Sequence, residues 1–444
     1  MRTAYQSQTL SPLADAHAPR FQAYTERQLD RIDALRRLPA ETQFAMRVVA
    51  SVLPFRVNRY VIDALIDWDA APDDPMFRLT FPHREMLPAE DFERMAALLH
   101  AGAAPARIRE AANEIRLRLN PQPGGQLETN IPSLDGEPLN GMQHKYRESV
   151  LFFPTQGQTC HSYCTFCFRW AQFVGIRDLR FSSMESLKLQ GYLEAHPEVS
   201  DLLVTGGDPL VMSAAQLRAY LEPLLAPRFD HIRNIRIGTK AVSYWPYRFI
   251  SDGDSSDLLR LFERIARAGK QLALMAHFNH WRELEPPAVR EAVRRIRDSG
   301  AIIRTQSPMV AHINDSADVW ERLWKTQTAL GMVPYYLFVE RDTGANRYFA
   351  LPLARAADVY REAISRVSGL ARTARGPCMS AGPGKVEIQG TADVAGERVF
   401  VLRFIQARNP DWVQRPFFAR FDPTATWLTA LTPAFGESRF FFEH

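Results

Sequence analysis

Apolar residues recur at helical spacing through Phe21 to Leu38, Phe44 to Leu53 and Ile108 to Leu119, so residues 1–118 read as a helical region. The pattern breaks between Asn120 and Gly141, where Pro121, Pro123, Gly124 and Gly125 mark a boundary or an extended wrapping segment. From Val150 the texture changes to short aliphatic runs alternating with amphipathic stretches. The predicted strands are Val150 to Pro154, Leu202 to Thr205, Ile232 to Gly238, Leu272 to His277, Ala301 to Gln306 and Tyr335 to Val339. Among the intervening helices, one stripe of Leu258, Phe262, Ile265 and Ala266 is closed by Gly269, and another of Val289, Val293 and Ile296 by Gly300. Six strands with five intervening helices predict an α/β core over residues 119–345, a parallel sheet with helices on its outer side. Ligand sites in such sheets gather at the C-terminal strand ends. Residues 346–444 read as an α+β extension. It holds a helix around Ala356 to Val367, the loop-like segment Gly376 to Lys385, and a β-rich tail closing on Phe440, Phe441 and Phe442, suited to packing or homo-oligomer contact.

Composition narrows the class. An apolar share of 46% over 444 residues is ample for a buried core. The formal charge of +4 is mild, and Arg and Glu are interspersed as on solvated helix faces, which argues against a nucleic-acid partner. No run of about 18 apolar residues suggests a membrane span, and Met1 to Arg20 has no signal-peptide core. A cytoplasmic protein is expected. The chain has four cysteines, of which Cys160, Cys164 and Cys167 cluster while Cys378 stands apart. Such usage fits a reducing compartment better than a disulfide framework.

The cysteine segment, Cys160-His-Ser-Tyr-Cys164-Thr-Phe-Cys167-Phe-Arg169-Trp170, directly follows the first core strand. Three soft thiolates at this spacing suit an iron-sulfur cluster or zinc. With Cys378 as fourth ligand the site would be structural, whereas an open fourth position would let a cluster iron bind a small molecule. Thr205-Gly206-Gly207-Asp208-Pro209 ends the second strand, where paired glycines permit close backbone approach and Asp208 can accept from an ammonium. Read alone, a Gly-Gly-Asp sequence is usually a turn. In His277-Phe-Asn-His280, two histidines without a nearby third ligand suit hydrogen bonding to a ligand, or a structural role, better than zinc. Lys385, after Gly382-Pro383-Gly384, is placed on a flexible loop with close backbone access, either as a surface lysine or as a Schiff-base lysine.

The cysteine spacing after a strand and the glycine-rich loop one unit later resemble the radical S-adenosylmethionine enzymes, in which a 4Fe-4S cluster with one free iron is chelated by S-adenosylmethionine. The ordered set of the cysteine segment, Thr205 to Pro209, Arg236 to Lys240, His277 to His280, Gln306-Ser307, Ile313-Asn314-Asp315, Pro334-Tyr335-Tyr336 and Gly382 to Lys385 resembles the lysine 2,3-aminomutase family. That resemblance covers roughly residues 55–405. It implies a partial (β/α)6 barrel and an enzyme that moves an amino group from C2 to C3 of a small-molecule amino acid. The implied cofactors are a [4Fe-4S] cluster, S-adenosylmethionine and pyridoxal 5'-phosphate, with a reducing electron donor. By the same resemblance, Cys160, Cys164 and Cys167 bind the cluster, and Gly206, Gly207, Asp208, Arg236 and His277 surround S-adenosylmethionine. Lys385 carries pyridoxal phosphate, Lys145 and Arg147 are the phosphate candidates, Arg169 grips the substrate carboxylate, and Asp315 lies at the distal end. The second aspartate that lysine-acting members place seven residues before the pyridoxal lysine is Cys378 here, which points away from lysine as the substrate. Two competing readings are a lysine-modifying enzyme acting on a protein partner and a non-catalytic iron-sulfur or zinc protein.

Overall fold

Burial along the central strands alternates with period two, which sorts their residues onto two faces. In Asn234–Thr239, Ile235, Ile237 and Thr239 are buried, while Arg236 and Gly238 point the other way. Ile302–Met309 repeats this, with Ile303 and Thr305 buried and Gln306 and Pro308 on the opposite face. One face therefore meets helices and the other is left to wall a cavity.

The computed structural model describes residues 19–120, 129–176 and 181–443. Pro121, Pro123, Gly124 and Gly125, like residues 1–18, lie outside them. The main sheet has eleven strands whose order across the sheet is their order in the chain. They are β1 Met142–Tyr146, β2 Ser149–Phe152, β3 Asp201–Val204, β4 Asn234–Thr239, β5 Gln271–His277, β6 Ile302–Met309, β7 Val333–Val339, β8 Arg375–Ser380, β9 Gly384–Val394, β10 Glu397–Ala407 and β11 Pro416–Arg420. Neighbours from β2 to β8 pair in parallel. The β1–β2 pair and all pairs from β8 to β11 are antiparallel. Helices α1 Ser186–Ala195, α2 Ala214–Leu221, α3 Ser255–Arg267, α4 Pro287–Asp298, α5 Ala317–Ala329 and α6 Leu353–Ser365 fill the six crossovers. Because each right-handed crossover advances to the adjacent strand, successive helices collect on the same face. One core joins Val150, Leu202, Val204, Ile235 and Ile237 to Leu189, Leu217, Leu258 and Val289.

All six expected strands are present, and the protein is a mixed α/β fold with a large parallel run. Two elements differ from expectation. The segment after α6, read as a loop, supplies a seventh parallel strand, β8, and Lys385 lies in β9 rather than on a flexible loop. Gly376 and Pro377 hide β8 in the sequence because both normally punctuate strands. Here Gly376 takes φ +149 and passes so close to β7 that a Cβ would stand 2.3 Å from the Leu337 carbonyl oxygen. Phe21 to Leu38 is not one α-helix. Ala23–Thr25 pairs antiparallel with Arg56–Asn58, and two 3-10 helices follow, Glu26–Arg31 and Asp33–Arg37.

The N-terminal helices build a second core with Trp170, Tyr244, Trp245, Val310 and Ile313, residues of the loops at the C-terminal strand ends. Strands β9 to β11 form a third core around Phe400, Phe404 and Phe417, onto which Phe440 and Phe442 fold back. Among the described residues, no helix is long and apolar enough to cross a membrane.

Candidate active site

The free face of the parallel run, the loops above it and β9 enclose a cavity of about 360 Å³. Cys160, Cys164, Cys167 and Arg169 line one part of it, and Lys145, Arg236 and Lys385 also reach its wall.

The cysteine loop leaves β2 and is gripped from outside by the N-terminal region. Tyr163 N–H donates to the Arg56 carbonyl (2.8 Å) and Thr165 N–H to the Leu79 carbonyl (3.0 Å). Asn58 is central to that grip. Its N–H donates to Ser162 Oγ at 2.9 Å, and its amide Nδ2 donates to the carbonyls of His161 (3.3 Å) and Tyr244 (2.8 Å). Its Oδ1 caps the helix Arg59–Ala64 through Val61 N–H. Burial raises all three thiols, and each lies close enough to another to be raised further or to raise it. A bound metal reverses this by taking the thiolate. Among the described residues, no three His, Cys, Asp or Glu side chains converge on a single-ion position. Three soft thiolates lining one cavity are the donor type that an iron-sulfur cluster takes.

Gly206 and Gly207 pack against the chain that carries Cys160. A Cβ on Gly206, at φ +145, would fall 2.2 Å from Gln158 Nε2, and one on Gly207 would fall 2.4 Å from the Thr159 carbonyl oxygen. The glycines thus also bring two loops together, besides lining the cavity. Asp208, fully buried, accepts from Leu210 N–H (3.0 Å), Lys240 N–H (2.9 Å) and Thr239 Oγ1 (2.8 Å). Its oxygens brace the β3 and β4 loops, and the residue also lines the cavity. His277 ends β5 and meets the Gln306 side-chain amide at 3.0 Å. Burial holds its pKa down at about 3, with Lys240 and Arg169 adding to the effect, so it is neutral. Because Gln306 Nε2 donates, His277 Nε2 accepts and Nδ1 carries the proton, a tautomer assigned from the network. His280 lies outside the cavity and accepts from Arg282 N–H, so the two histidines do not act together.

At Lys385, Nζ donates to Gln406 Oε1 at 2.7 Å and sits 4.6 Å from the centre of the Tyr336 ring. Burial, with Arg236 next, depresses its pKa to about 7. Arg236 donates to Asp201 Oδ1 at 2.7 Å, and its charge adds to the lowering of Lys385. Lys145 reaches from β1 to the Ala381 carbonyl, and burial lowers it to about 7 as well. Arg169 lies over the rings of Phe153 (4.4 Å) and Phe168 (5.0 Å). Burial brings its pKa down to about 10, leaving it charged at neutral pH.

Three residues stand away from the cavity lining. Arg147 is exposed in the β1–β2 turn, because the hairpin reverses before its side chain can follow Lys145 inward. Asp315 accepts from His312 N–H at 3.0 Å in a loop whose Val310 and Ile313 bury against the N-terminal helices, which carries the carboxylate away from the cavity. Cys378 packs behind the lining with Tyr336 and Ile405, and burial pushes its thiol far up. Sequence reasoning missed Asn58, Tyr244, Glu340 and Arg341. The last two follow β7 and line the cavity, and their position at a parallel strand's C-terminal end was the available signal.

No family model matches the chain. A relative from Aquifex aeolicus (strain VF5), provisionally named an L-lysine 2,3-aminomutase, is 31% identical over 402 residues, covering 90% of this chain and 93% of its own. The L-lysine 2,3-aminomutase of Escherichia coli (strain K12) is 29% identical over 233 residues, 52% of this chain and 63% of that one. The Clostridium subterminale L-lysine 2,3-aminomutase is 25% identical over 262 residues, 59% of each chain. Among solved structures, a radical S-adenosylmethionine methyltransferase, TsrM from Kitasatospora setae, aligns over 43% of this chain and 34% of its own at 14% identity, with a TM-score of 0.28 too low to inform the fold. Near-complete coverage at this identity settles the family: the chain belongs to the lysine 2,3-aminomutases, a family of radical S-adenosylmethionine isomerases.

Proposed function

We propose that this protein is a pyridoxal phosphate-dependent amino acid 2,3-aminomutase that makes a β-amino acid. The observation that carries the reading is one cavity bounded by three clustered thiols and by a buried lysine whose amine is depressed to about 7. In this reading the parallel strands form the family's partial (β/α)6 barrel, with residues 1–118 and 346–444 as extensions.

Cys160, Cys164 and Cys167 would hold the cluster, and Lys385 would hold pyridoxal phosphate. When bound, the cluster and S-adenosylmethionine supply a hydrogen-abstracting radical, and the pyridoxal ring supplies delocalisation. The chain's own groups bind and orient. Arg169 offers a planar, charged fork to the substrate carboxylate. Lys385 is half deprotonated near neutrality, so it can act as a nucleophile toward a carbonyl. Lys145 supplies charge for the phosphate, while the walls of Tyr336 and Phe338 limit water at the reacting carbon.

The cavity also informs the substrate. Asp201 is paired with Arg236, and Asp208 is engaged by the loops. Glu340 is the remaining acidic lining residue, and its Oε1 is buried without a hydrogen-bond partner. The paired distal carboxylates of lysine-acting members are thus not reproduced, since Cys378 replaces one and Asp315 points elsewhere. That arrangement supports a substrate other than lysine.

Anaerobically purified protein should contain about four irons and show pyridoxal absorbance that is lost in Lys385→Ala. Incubating the reduced enzyme with a panel of free amino acids, followed by mass spectrometry, should reveal a β-isomer. Pyridoxal absorbance that survives in Lys385→Ala would sink the cofactor assignment, and turnover of lysine above all others would sink the substrate argument.

A further inference from the structure

Tyr244 is not used by the chemistry above, yet its hydroxyl lies 3.4 Å from Cys164 Sγ. It ends the short helix Ala241–Tyr244 after β4 and is 1% exposed. Two contacts fix it. Its carbonyl accepts from Asn58 Nδ2, and that same amide reaches His161 in the cysteine loop. The separation between phenol and sulfur is therefore set by one buried side chain bonded to both segments. Lys240 Nζ stands 4.5 Å from the centre of the Tyr244 ring, and it is itself held by Glu283 (2.6 Å) and Asn279 (3.1 Å). Among the described hydrogen bonds, this is the one between a hydroxyl and any of the three sulfurs.

The direction of the bond depends on the state of the sulfur. A free thiol can donate to the phenol, but a thiolate bound to iron has no proton, so with a cluster in place Tyr244 must be the donor. Hydrogen bonds to cluster sulfurs are among the protein's levers on reduction potential. Reduction adds negative charge that spreads onto the sulfurs, so a donor stabilises the reduced state more than the oxidised one. A cation above the ring withdraws phenol electron density and makes the hydroxyl a stronger donor.

Resting on the cluster assignment above, we infer that Tyr244 raises the reduction potential of the iron-sulfur cluster by donating a hydrogen bond from its hydroxyl to Cys164 Sγ, with Lys240 over the ring strengthening the donor. Tyr244 is thus a tuning residue that sets how readily an external donor can deliver the electron on which radical formation depends. A purely structural Tyr244 would fill space and leave the potential alone.

Tyr244→Phe separates the two, since it keeps the ring and removes only the donor. The full chain, wild type and variant, would be loaded anaerobically, assayed for iron, and titrated potentiometrically with the reduced cluster followed by electron paramagnetic resonance. With iron content equal to wild type, the reduced-to-oxidised ratio at a fixed potential should fall about tenfold, a shift of about 59 mV for one electron to more negative potential. A ratio within about twofold of wild type, well under that 59 mV step, overturns the inference while leaving the cluster assignment intact. If Tyr244→Phe takes up less iron, Tyr244→Met fills the same space without a donor and should show the same negative shift. Failure of both variants to load while the wild type loads would make Tyr244 structural and overturn the inference. A wild type that binds no iron removes the cluster assignment and this inference together.

Discussion

At the scale of single residues, burial does most of the chemistry. The Lys385 amine has an ordinary pKa of 10.5 and a folded value of about 7. Below pH 7 it is protonated and unreactive; above, the free amine predominates. The rate of pyridoxal phosphate condensation with apoprotein, followed by absorbance, should rise to about pH 7 and then level. A rate still climbing toward pH 9 would show that the amine is not depressed. Glu340 runs the opposite way, since burial raises its carboxyl well above 4.5. A carboxyl raised on folding favours the protonated form, so its destabilising contribution is absent at low pH and grows as pH rises past the unfolded value. Glu340→Gln should therefore be more stable than wild type at pH 8, with a smaller difference at pH 4, by urea unfolding. Equal differences at the two pH values would mean that this carboxyl does not ionise as proposed.

Elements hold these residues in place, and the contacts between loops matter more than the loops themselves. Asn58 satisfies two carbonyls, one hydroxyl and a helix N-terminus while fully buried. Asn58→Ala leaves the two carbonyls and the helix N–H without that partner and should cost about 2 kcal/mol or more, read by denaturant unfolding, with iron uptake falling alongside. Gly207→Ala drives a methyl into the Thr159 backbone and should cost about 1–3 kcal/mol, again with reduced iron uptake; full iron content in a stable Gly207→Ala protein would show that the two loops can part without harm. The six parallel strands and the stripes of α3 and α4 were legible because period-two and period-3.6 patterns report which face is buried. β8 was not, because Gly376 and Pro377 lie inside it. Its pairing depends on the close approach to Leu337, which lies 39 residues earlier in the chain.

For the whole molecule, the N-terminal region is the clamp that holds the cysteine loop from outside. Asp74, fully buried, caps Phe77 N–H and bonds Arg282, whose guanidinium also reaches the Leu65 carbonyl. This pair joins the N-terminal helices to the loop after β5. Asp74→Asn keeps the cap but removes the charge opposite Arg282, and should cost about 3 kcal/mol, because Arg282 retains some contact with water. An unfolding midpoint equal to wild type would show that this pair does not hold the two parts together. At the other end, the phenylalanine-rich tail folds onto its own sheet, as Phe440 against Phe417 shows.

The sequence by itself determined the six core strands, the amphipathic helices and the identity of the clustered thiols, since these rest on local periodicity and on residue chemistry that no fold can alter. It also carried the motif order that joins the chain to its family. Only the tertiary structure decided which of those groups share a cavity. It brought Lys385 and Arg236 together across the sheet, turned Arg147 and Asp315 away, spent the oxygens of Asp208 on bracing loops, and set a tyrosine from β4's loop against Cys164. Those outcomes depend on contacts between segments tens to hundreds of residues apart, whose geometry is a property of the packed chain and of no single stretch of it.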